Sequence, residues 1–185
     1  MNDIEILQEM LDSSAQVPLQ KKSGKPPSVQ LTDVQAKATV EIRGLPHESI
    51  VIRAEEFSDS LSVFSGLRGE RRRADFVIVS LNEKKWIIYI ETQLSDYKEH
   101  KVIVQQLKGA LCFVNYCKCI GKEFWSEREF LDDYEFRFVS MVHTSMDKRS
   151  TSPNRARTPV HTRPERYLRI SGRSHHFHRL TDRVS

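Results

Sequence analysis

The sequence predicts an α/β protein in which a mixed central β-sheet is flanked by helices. Residues 74–79 and 86–93 are two apolar runs separated by a short polar turn, and residues 96–119 repeat apolar residues at helical spacings of three and four. Strands that alternate with such a helix are typical of a sheet covered by helices. Both runs are apolar on both faces, so they are expected to be central strands. At 185 residues the chain is long enough for one domain with its own core.

The N-terminal segment, residues 1–36, is predicted to be a helix followed by a flexible linker. Ile4, Leu7 and Leu11 share one face of a helix over residues 3–12. Residues 13–35 are rich in Ser, Gln, Lys and Pro, a composition that buries little apolar surface. An ordered core is therefore expected to follow at residues 37–145.

The core is predicted to hold further strands and helices around the two apolar runs. In chain order these are strands at residues 39–43 and 49–53 joined by a turn at residues 44–48, short helices at residues 55–64 and 126–131, and a strand at residues 135–142. The long helix is expected to begin after Asp96, because Glu99 stands at the capping-box spacing from it. It is expected to run to about Cys119 and to end before Gly121.

The third segment, residues 146–185, is basic. A loop rich in Ser, Thr, Pro and Arg precedes a predicted edge strand at residues 167–170. From Lys148 onward the chain carries a net charge of +8, whereas residues 1–147 carry −4. An acidic body with a basic tail suits a polyanionic partner, and a merely solvated tail is the alternative.

Several classes of protein are disfavoured by composition. The longest apolar run is far shorter than the roughly 18 residues that a membrane span needs, and the acidic N-terminus lacks the order of a secretory signal. The three cysteines, at positions 112, 117 and 119, are odd in number and lack zinc-finger spacing, so core packing is the favoured role. We therefore expect a cytoplasmic protein with no membrane partner.

Two carboxylates are predicted to meet at a solvent-facing end of the hairpin. If the turn has three residues, 82–84, Asp75 lies opposite Glu91 on one face, with Cβ atoms roughly 5 Å apart. A two-residue turn would place Asp75 opposite Thr92 instead. Adjacent like charges cost stability, and Mg²⁺, with Mn²⁺ as the alternative ion, relieves that cost by taking carboxylate and water ligands. The competing interpretation is two solvated carboxylates without a metal.

This arrangement resembles the PD-(D/E)xK nuclease superfamily from about residue 56 to residue 142. Asp75 matches the Asp of the motif, Glu91 its Asp/Glu and Gln93 its Lys. The resemblance implies a restriction-endonuclease-like core at residues 37–145 and Mg²⁺-dependent hydrolysis of DNA phosphodiester bonds, with Asp75 and Glu91 on the metal. No Pro precedes Asp75, and Gln93 is neutral, so it can orient the attacking water only through hydrogen bonds.

The resemblance also implies supporting residues outside the hairpin. Gln106 on the long helix is the first choice for a side chain that reaches back to the site. Lys108 and Lys101 are runners-up for a lysine that has moved from the motif position. Glu56 is expected to supply a third carboxylate to the metal, with Glu70 as the alternative.

Positive charge near the hairpin predicts nucleic-acid binding. Arg71, Arg72 and Arg73 precede Asp75 and are expected, with Lys101, to contact phosphates. DNA is the expected partner and RNA the alternative, and the C-terminal arginines would grip a second stretch of backbone. A homodimer would allow both strands of a duplex to be cut.

The sequence is also compatible with two other functions. The first is a catalytically inactive nucleic-acid-binding module on the same fold, with Gln93 as the mark of lost chemistry. The second is an assembly protein whose acidic body and basic tail dock on each other or on a partner.

Overall fold

The computed structural model of this chain describes residues 1–33, 38–57, 63–93, 98–143 and 161–182. Those residues form a mixed α/β protein with two mixed sheets and three α-helices. The strands are β1 (Ser28–Asp33), β2 (Ala38–Arg43), β3 (Glu48–Arg53), β4 (Phe76–Leu81), β5 (Lys85–Gln93), β6 (Glu135–Val142), β7 (Leu168–Ser171) and β8 (Ser174–His176). The helices are α1 (Asp3–Met10), α2 (His100–Phe124) and α3 (Phe177–Thr181).

The larger sheet has the strand order β3-β4-β5-β6-β7. β3, β4 and β5 pair antiparallel, whereas β5, β6 and β7 pair in parallel. The carboxyl ends of β3, β5, β6 and β7 therefore lie at one edge of the sheet, together with the amino end of β4. We call this the carboxyl edge; it is marked by Arg53, Phe76, Gln93, Val142 and Ser171.

The β4–β5 hairpin has the predicted register. Leu81 pairs with Lys85 around a three-residue turn, and the ladder runs on to the pair Phe76 and Ile90. Both strands are buried on both faces through their middles, as expected for central strands. One pair beyond the ladder, the same register places Asp75 opposite Glu91.

A second sheet, with the order β1-β2-β8, covers one face of the larger sheet. Val29 and Leu31 of β1 are fully buried in one cluster with Phe76 and Ile78 of β4. The prediction that residues 13–35 are all linker is therefore wrong for β1, where two core side chains alternate with polar ones that face water. The turn at residues 44–48 passes the chain from one sheet to the other, so β2 and β3 do not pair as a hairpin.

Helices α1 and α2 cover the opposite face of the larger sheet. Ile4 and Leu7 of α1 are buried as predicted, and α1 begins with a capping box in which Asn2 and Glu5 exchange hydrogen bonds of 2.8 and 2.9 Å. The short helix α3 packs on the side of the second sheet. Among the described residues, no helix has both the length and the apolar character that crossing a membrane requires.

Helix α2 is longer than predicted. Its N-cap is Glu99, and the predicted cap Asp96 lies outside the described residues. The helix continues through Gly121, where an added Cβ atom would lie 2.1 Å from the ring of Phe130. This glycine is therefore required by close packing and does not end the helix.

The two short helices predicted in the core are not found in the described residues. Ser126, Leu131 and Asp133 have φ angles of 57°, 55° and 61°, a left-handed conformation that interrupts a helix. After β3 a single 3₁₀ turn covers Ala54–Glu56, and residues 58–62 lie outside the described part of the chain. The predicted edge strand is confirmed as β7. Of the cysteines, the one at position 117 is buried and the other two are exposed on α2.

Candidate functional site

Asp75 lies at the carboxyl edge, immediately before β4. Its Oδ2 atom accepts hydrogen bonds from the backbone nitrogen of Thr92 at 2.7 Å and from the Thr92 hydroxyl at 2.6 Å. The Asp75 carbonyl oxygen accepts a hydrogen bond from the nitrogen of Ala54 at 2.9 Å, which ties the start of β4 to the end of β3. Burial raises the pKa of Asp75, and the two Thr92 hydrogen bonds oppose that rise. The side chain was expected to face solvent, but the residue is only 9% exposed.

Glu91, near the end of β5, is fully buried, with a relative exposure of 0%. Its Oε1 atom forms an ion pair with the ammonium group of Lys98. Its Oε2 atom is buried and has no hydrogen-bond partner within the described residues. Burial, and next the charge of Asp75, raise the pKa of Glu91 well above its ordinary value, although Lys98 acts in the opposite direction. The interaction with Asp75 shows that the two predicted carboxylates share one electrostatic environment.

Gln93 is the last residue of β5 and is also buried. Its side-chain nitrogen donates a hydrogen bond to the Ser140 hydroxyl on β6, which fixes the orientation of the amide. The Gln93 Oε1 atom is buried without a hydrogen-bond partner in the described part of the chain. Gln93 and Glu91 therefore each present one unsatisfied oxygen at the carboxyl edge, and both oxygens are acceptors that require a donor or a cation.

Lys98 is the main site residue that sequence reasoning missed. The displaced lysine is predicted at Lys108 or Lys101, whereas Lys98, which falls within the helix predicted to begin after Asp96, lies just before the observed helix α2. Its ammonium group brings to Glu91 the positive charge that the neutral Gln93 lacks. The only signal in the sequence was a lysine seven positions after Glu91, and the spacing alone does not indicate where its side chain lies.

Glu55 rather than Glu56 is the additional carboxylate near the site. Burial raises the pKa of Glu55, and the charges of Asp75 and Asp33 raise it further. Glu56 was the expected third ligand, but it is exposed, because the single 3₁₀ turn after β3 directs it to solvent. Asp33, at the end of β1, contributes to the raised pKa values of Glu55, Asp75 and Glu91. Within the described residues, no three His, Cys, Asp or Glu side chains stand in an arrangement that could hold a metal ion.

The three site residues predicted on α2, which are Gln106, Lys108 and Lys101, lie in three different environments. Gln106 is partly buried. Its backbone carbonyl oxygen accepts a hydrogen bond of 2.9 Å from the backbone nitrogen of Ala74, and its side-chain Oε1 atom has no hydrogen-bond partner among the described residues. Lys108 forms an ion pair of 2.6 Å with Glu165, so it is drawn toward the C-terminal segment and not toward Glu91. Lys101 is exposed near the start of α2.

The arginine-rich loop before Asp75 lies against α2. An added Cβ atom at Gly109 would lie 1.8 Å from the carbonyl oxygen of Arg72, so the helix needs glycine where the loop crosses it. Arg73 packs over the ring of Phe57 at 5.6 Å and donates hydrogen bonds to backbone oxygens of the loop. Arg71 and Arg72 are exposed. Two of the three predicted phosphate-binding arginines are thus exposed, whereas Arg73 has a structural role.

Comparison with protein-family models, with curated proteins and with solved structures finds no match to this chain. A function for the chain must therefore be argued from the chemistry of the carboxyl edge.

Proposed function

We propose that this chain is a metal-dependent nuclease of the PD-(D/E)xK type that hydrolyses DNA phosphodiester bonds. The observation that most strongly supports the proposal is the burial of the Glu91 carboxylate. A fully buried carboxylate with one oxygen unsatisfied, placed beside a second carboxylate at the end of two central strands, is costly to the fold unless it binds something. Sites of strongly perturbed pKa cluster at functional centres, which also favours this edge as the active site.

The residues at the carboxyl edge fit a hard divalent cation. Mg²⁺ prefers oxygen ligands and binds through one or two carboxylates while it keeps several waters, so two carboxylates suffice. Asp75 and Glu91 would hold the ion, and the free Oε1 of Gln93 offers a further acceptor for an ordered water. Mn²⁺ has the same ligand preference. When bound, such an ion lowers the pKa of a water and stabilises charge on a transferring phosphoryl group.

The chain's own side chains would carry out the remaining tasks. The Thr92 hydrogen bonds hold the Asp75 carboxylate in one orientation, and the Ser140 hydroxyl holds the Gln93 amide so that its oxygen faces away from β6. Lys98 would donate from its ammonium group to a phosphate oxygen or to the attacking water, the role that the resemblance assigns to the motif lysine. Arg71 and Arg72 would contact flanking phosphates.

A catalytically inactive nucleic-acid-binding module is the second candidate. It is favoured by the Lys98–Glu91 ion pair, because that contact already supplies Glu91 with a positive partner in the absence of any metal. It is also favoured by the neutral Gln93 at the motif position. In this case the acidic edge would be a relic, and DNA would be retained on the arginines without being cut.

Cleavage assays separate the two candidates. Purified protein is incubated with supercoiled plasmid, linear duplex, single-stranded DNA and an RNA oligonucleotide, each with Mg²⁺, Mn²⁺ or EDTA. Wild-type protein is expected to cut DNA with either metal and not with EDTA, and Asp75→Asn is expected to remove the activity. Glu83→Gln, in the exposed turn at the other end of the hairpin, is the matched control and should cut like wild type. Binding without cleavage under every metal condition would overturn the catalytic proposal.

A further inference from the structure

The arginine-rich loop before Asp75, residues 63–73, presents the most exposed large apolar side chain in the described part of the chain. Leu67 is 89% exposed, and Val63 and Phe64 are also exposed. An apolar patch on the surface of a folded domain marks a place where a partner binds. Because isolated apolar residues on a surface are common, the conformation of the loop decides whether Leu67 can act on a ligand.

Leu67 lies at the tip of a turn that the loop itself holds in place. The nitrogen of Gly69 donates a hydrogen bond of 3.2 Å to the carbonyl oxygen of Gly66, so Leu67 and Arg68 are the two central residues of the turn. The Glu70 carboxylate accepts hydrogen bonds from the nitrogens of Gly66 and Arg68, at 2.9 and 2.8 Å. Gly66 and Gly69 have φ angles of 82° and 85°, a conformation that suits glycine. The loop therefore fixes Leu67 in an exposed position.

The loop is attached to helix α2 beside the candidate site. The side-chain nitrogen of Gln105 donates a hydrogen bond of 2.8 Å to the carbonyl oxygen of Arg68. The nitrogen of Ala74 donates one of 2.9 Å to the carbonyl oxygen of Gln106. Because the two glutamines are consecutive, the tip and the end of the loop are attached to the same turn of the helix, and Asp75 follows directly. A ligand on the tip therefore lies near the carboxyl edge.

Three exposed arginines lie at or beside the tip. Arg68 is part of the turn, and the side chain of Arg71 packs against Gly66, where an added Cβ atom would lie 2.8 Å from the Arg71 Cδ atom. Arg68, Arg71 and Arg72 are exposed, and within the described residues none of them forms an ion pair. The carboxylate of the loop, Glu70, accepts hydrogen bonds from the loop's own donors. An apolar tip flanked by positive charge is complementary to stacked bases flanked by phosphates.

We propose that Leu67 is a wedge that inserts between two base pairs of a bound DNA duplex. Arg68, Arg71 and Arg72 bind the flanking phosphates. Leucine is one of the apolar side chains that proteins insert between base steps, and its insertion unstacks the step and kinks the duplex. Because the turn is already formed, insertion costs little ordering of the backbone. This inference rests on the proposed function for its ligand, and it makes a duplex that is kinked or weakly stacked beside the cut the preferred substrate.

The first test compares an intact duplex with one that holds a single mismatched base pair. Affinities are measured by fluorescence anisotropy in EDTA, where no cleavage occurs. A mismatch lowers the cost of unstacking, so wild-type protein is expected to bind the mismatched duplex about tenfold more tightly. Leu67→Ser should bind both duplexes equally, and Leu67→Met, which keeps an apolar wedge, should retain the preference. Equal binding of the two duplexes by wild type would overturn the proposal.

Phe124→Ser is the matched control for Leu67→Ser. It also removes an exposed apolar side chain, at the last residue of α2 and about 28 Å along the helix from Gln105. Its preference for the mismatched duplex should equal that of wild type. Because Leu67 is exposed, Leu67→Ser should leave Tm unchanged, so its loss of binding can be assigned to the tip of the loop.

The second test separates the wedge from the arginines through the slope of log Kd against log[KCl], measured between about 50 and 200 mM KCl. Arg68→Gln, Arg71→Gln and Arg72→Gln should each reduce the slope by about 0.7–0.9, since each loses one phosphate contact. Leu67→Ser should weaken binding to the mismatched duplex about tenfold with the slope unchanged, because an apolar contact releases no counterions. Arg128→Gln, an exposed arginine beyond α2, should change neither value. Unchanged affinity of Leu67→Ser for the mismatched duplex would overturn the wedge.

The third test observes the unstacking. The fluorescence of 2-aminopurine placed beside the mismatch should rise when wild-type protein binds and should not rise with Leu67→Ser. Vesicles of phosphatidylcholine and phosphatidylserine, and sedimentation of the protein alone, probe the other occupants of the tip, which are an anionic membrane surface and a second copy of this chain. Vesicle binding or a dimer that depends on Leu67, with no rise in 2-aminopurine fluorescence, would contradict the assignment to DNA.

The two proposals fail in different ways. If no preparation cleaves DNA but the mismatch preference and the 2-aminopurine signal depend on Leu67, the catalytic proposal fails and the wedge stands. If wild type cleaves DNA and Leu67→Ser cleaves intact and mismatched duplexes at the wild-type rates, with no difference in 2-aminopurine fluorescence, the wedge fails alone.

Discussion

Replacing Glu91 by Gln tests the proposed metal site with almost no change in side-chain volume. The substitution removes the charge while an amide oxygen can still accept a hydrogen bond from Lys98. Lys98 is one-third exposed, so solvent can satisfy its ammonium group after the carboxylate is gone. We therefore expect Glu91→Gln to fold, to lose cleavage and to lose its response to divalent ions.

The raised pKa of Glu91 determines the direction in which pH changes the stability of the fold. Because the pKa of Glu91 is raised in the folded chain, the folded state binds this proton more tightly than the unfolded state does. The carboxyl group therefore favours the fold most at pH values below its unfolded pKa of about 4.3. That contribution is lost as the pH rises from there through the folded pKa. At pH 8 in EDTA, Glu91→Gln is thus expected to be at least as stable as wild type.

Metal binding should reverse this ranking. An ion that binds only the folded state at about ten times its Kd adds about 1.4 kcal/mol, which for a chain of this size raises Tm by about 3–6 °C. Differential scanning fluorimetry at constant ionic strength should show this shift for wild type in Mg²⁺ or Mn²⁺ at pH 8. The shift should shrink at pH 6, because the ion must displace a proton from Glu91 and from Asp75, whose pKa is also raised.

Two outcomes would contradict a metal site formed by Asp75 and Glu91. An equal shift in Glu91→Gln and wild type would mean that the ion binds elsewhere. The absence of any shift in wild type at pH 8 would mean that the carboxylates do not form a site. Glu83→Gln is the matched control, since it removes one exposed carboxylate at the opposite end of the hairpin and should respond to metal like wild type.

Three further substitutions probe other parts of the structure. Lys98→Ala is expected to lower kcat about 100-fold or more while leaving the Mg²⁺-induced rise in Tm in place, which parallel cleavage and melting assays would show. Gly109→Ala should destabilise the fold by about 1–3 kcal/mol in urea denaturation, since its Cβ would meet the Arg72 carbonyl at 1.8 Å; an unchanged urea midpoint would contradict the close approach of the loop. Leu31→Ala should cost about 2–5 kcal/mol by the same measurement, because Leu31 is fully buried, and a loss below about 0.5 kcal/mol, the usual range for surface substitutions, would exclude β1 from the core.

The hairpin could be predicted because its determinants are local. Two apolar runs predict the strands, but the sequence is compatible with a two-residue or a three-residue turn. The structure has the three-residue turn, whose register brings Asp75 opposite Glu91. The depth of the site could not be predicted in the same way. Glu91 was expected near solvent, and its burial depends on α2 and on the segment that carries Lys98, which come later in the chain.

The remaining differences depend on contacts between distant segments. β1 has only two core side chains, Val29 and Leu31, among polar neighbours, and they become a strand because β2 and the larger sheet cover them. The sequence predicts that the helix ends at Gly121, because glycine commonly ends a helix. The structure instead requires glycine at this position because the ring of Phe130, nine positions further along, packs on the helix backbone there. No local pattern contains that information.

The charge balance at Glu91 connects the two candidate functions. Asp75 and Glu91 carry two negative charges when ionised, and Lys98 neutralises one of them. The raised pKa values of both carboxyl groups mean that, without a metal, a proton compensates part of the remaining charge. A nuclease exchanges that proton for a divalent ion, and the ion then supplies the positive charge that binding a phosphate requires. An inactive module keeps the proton, because its carboxylates do not bind the ion tightly enough to displace it. The number of protons released on addition of Mg²⁺ to the concentrated protein therefore distinguishes the two, independently of any nucleic-acid substrate.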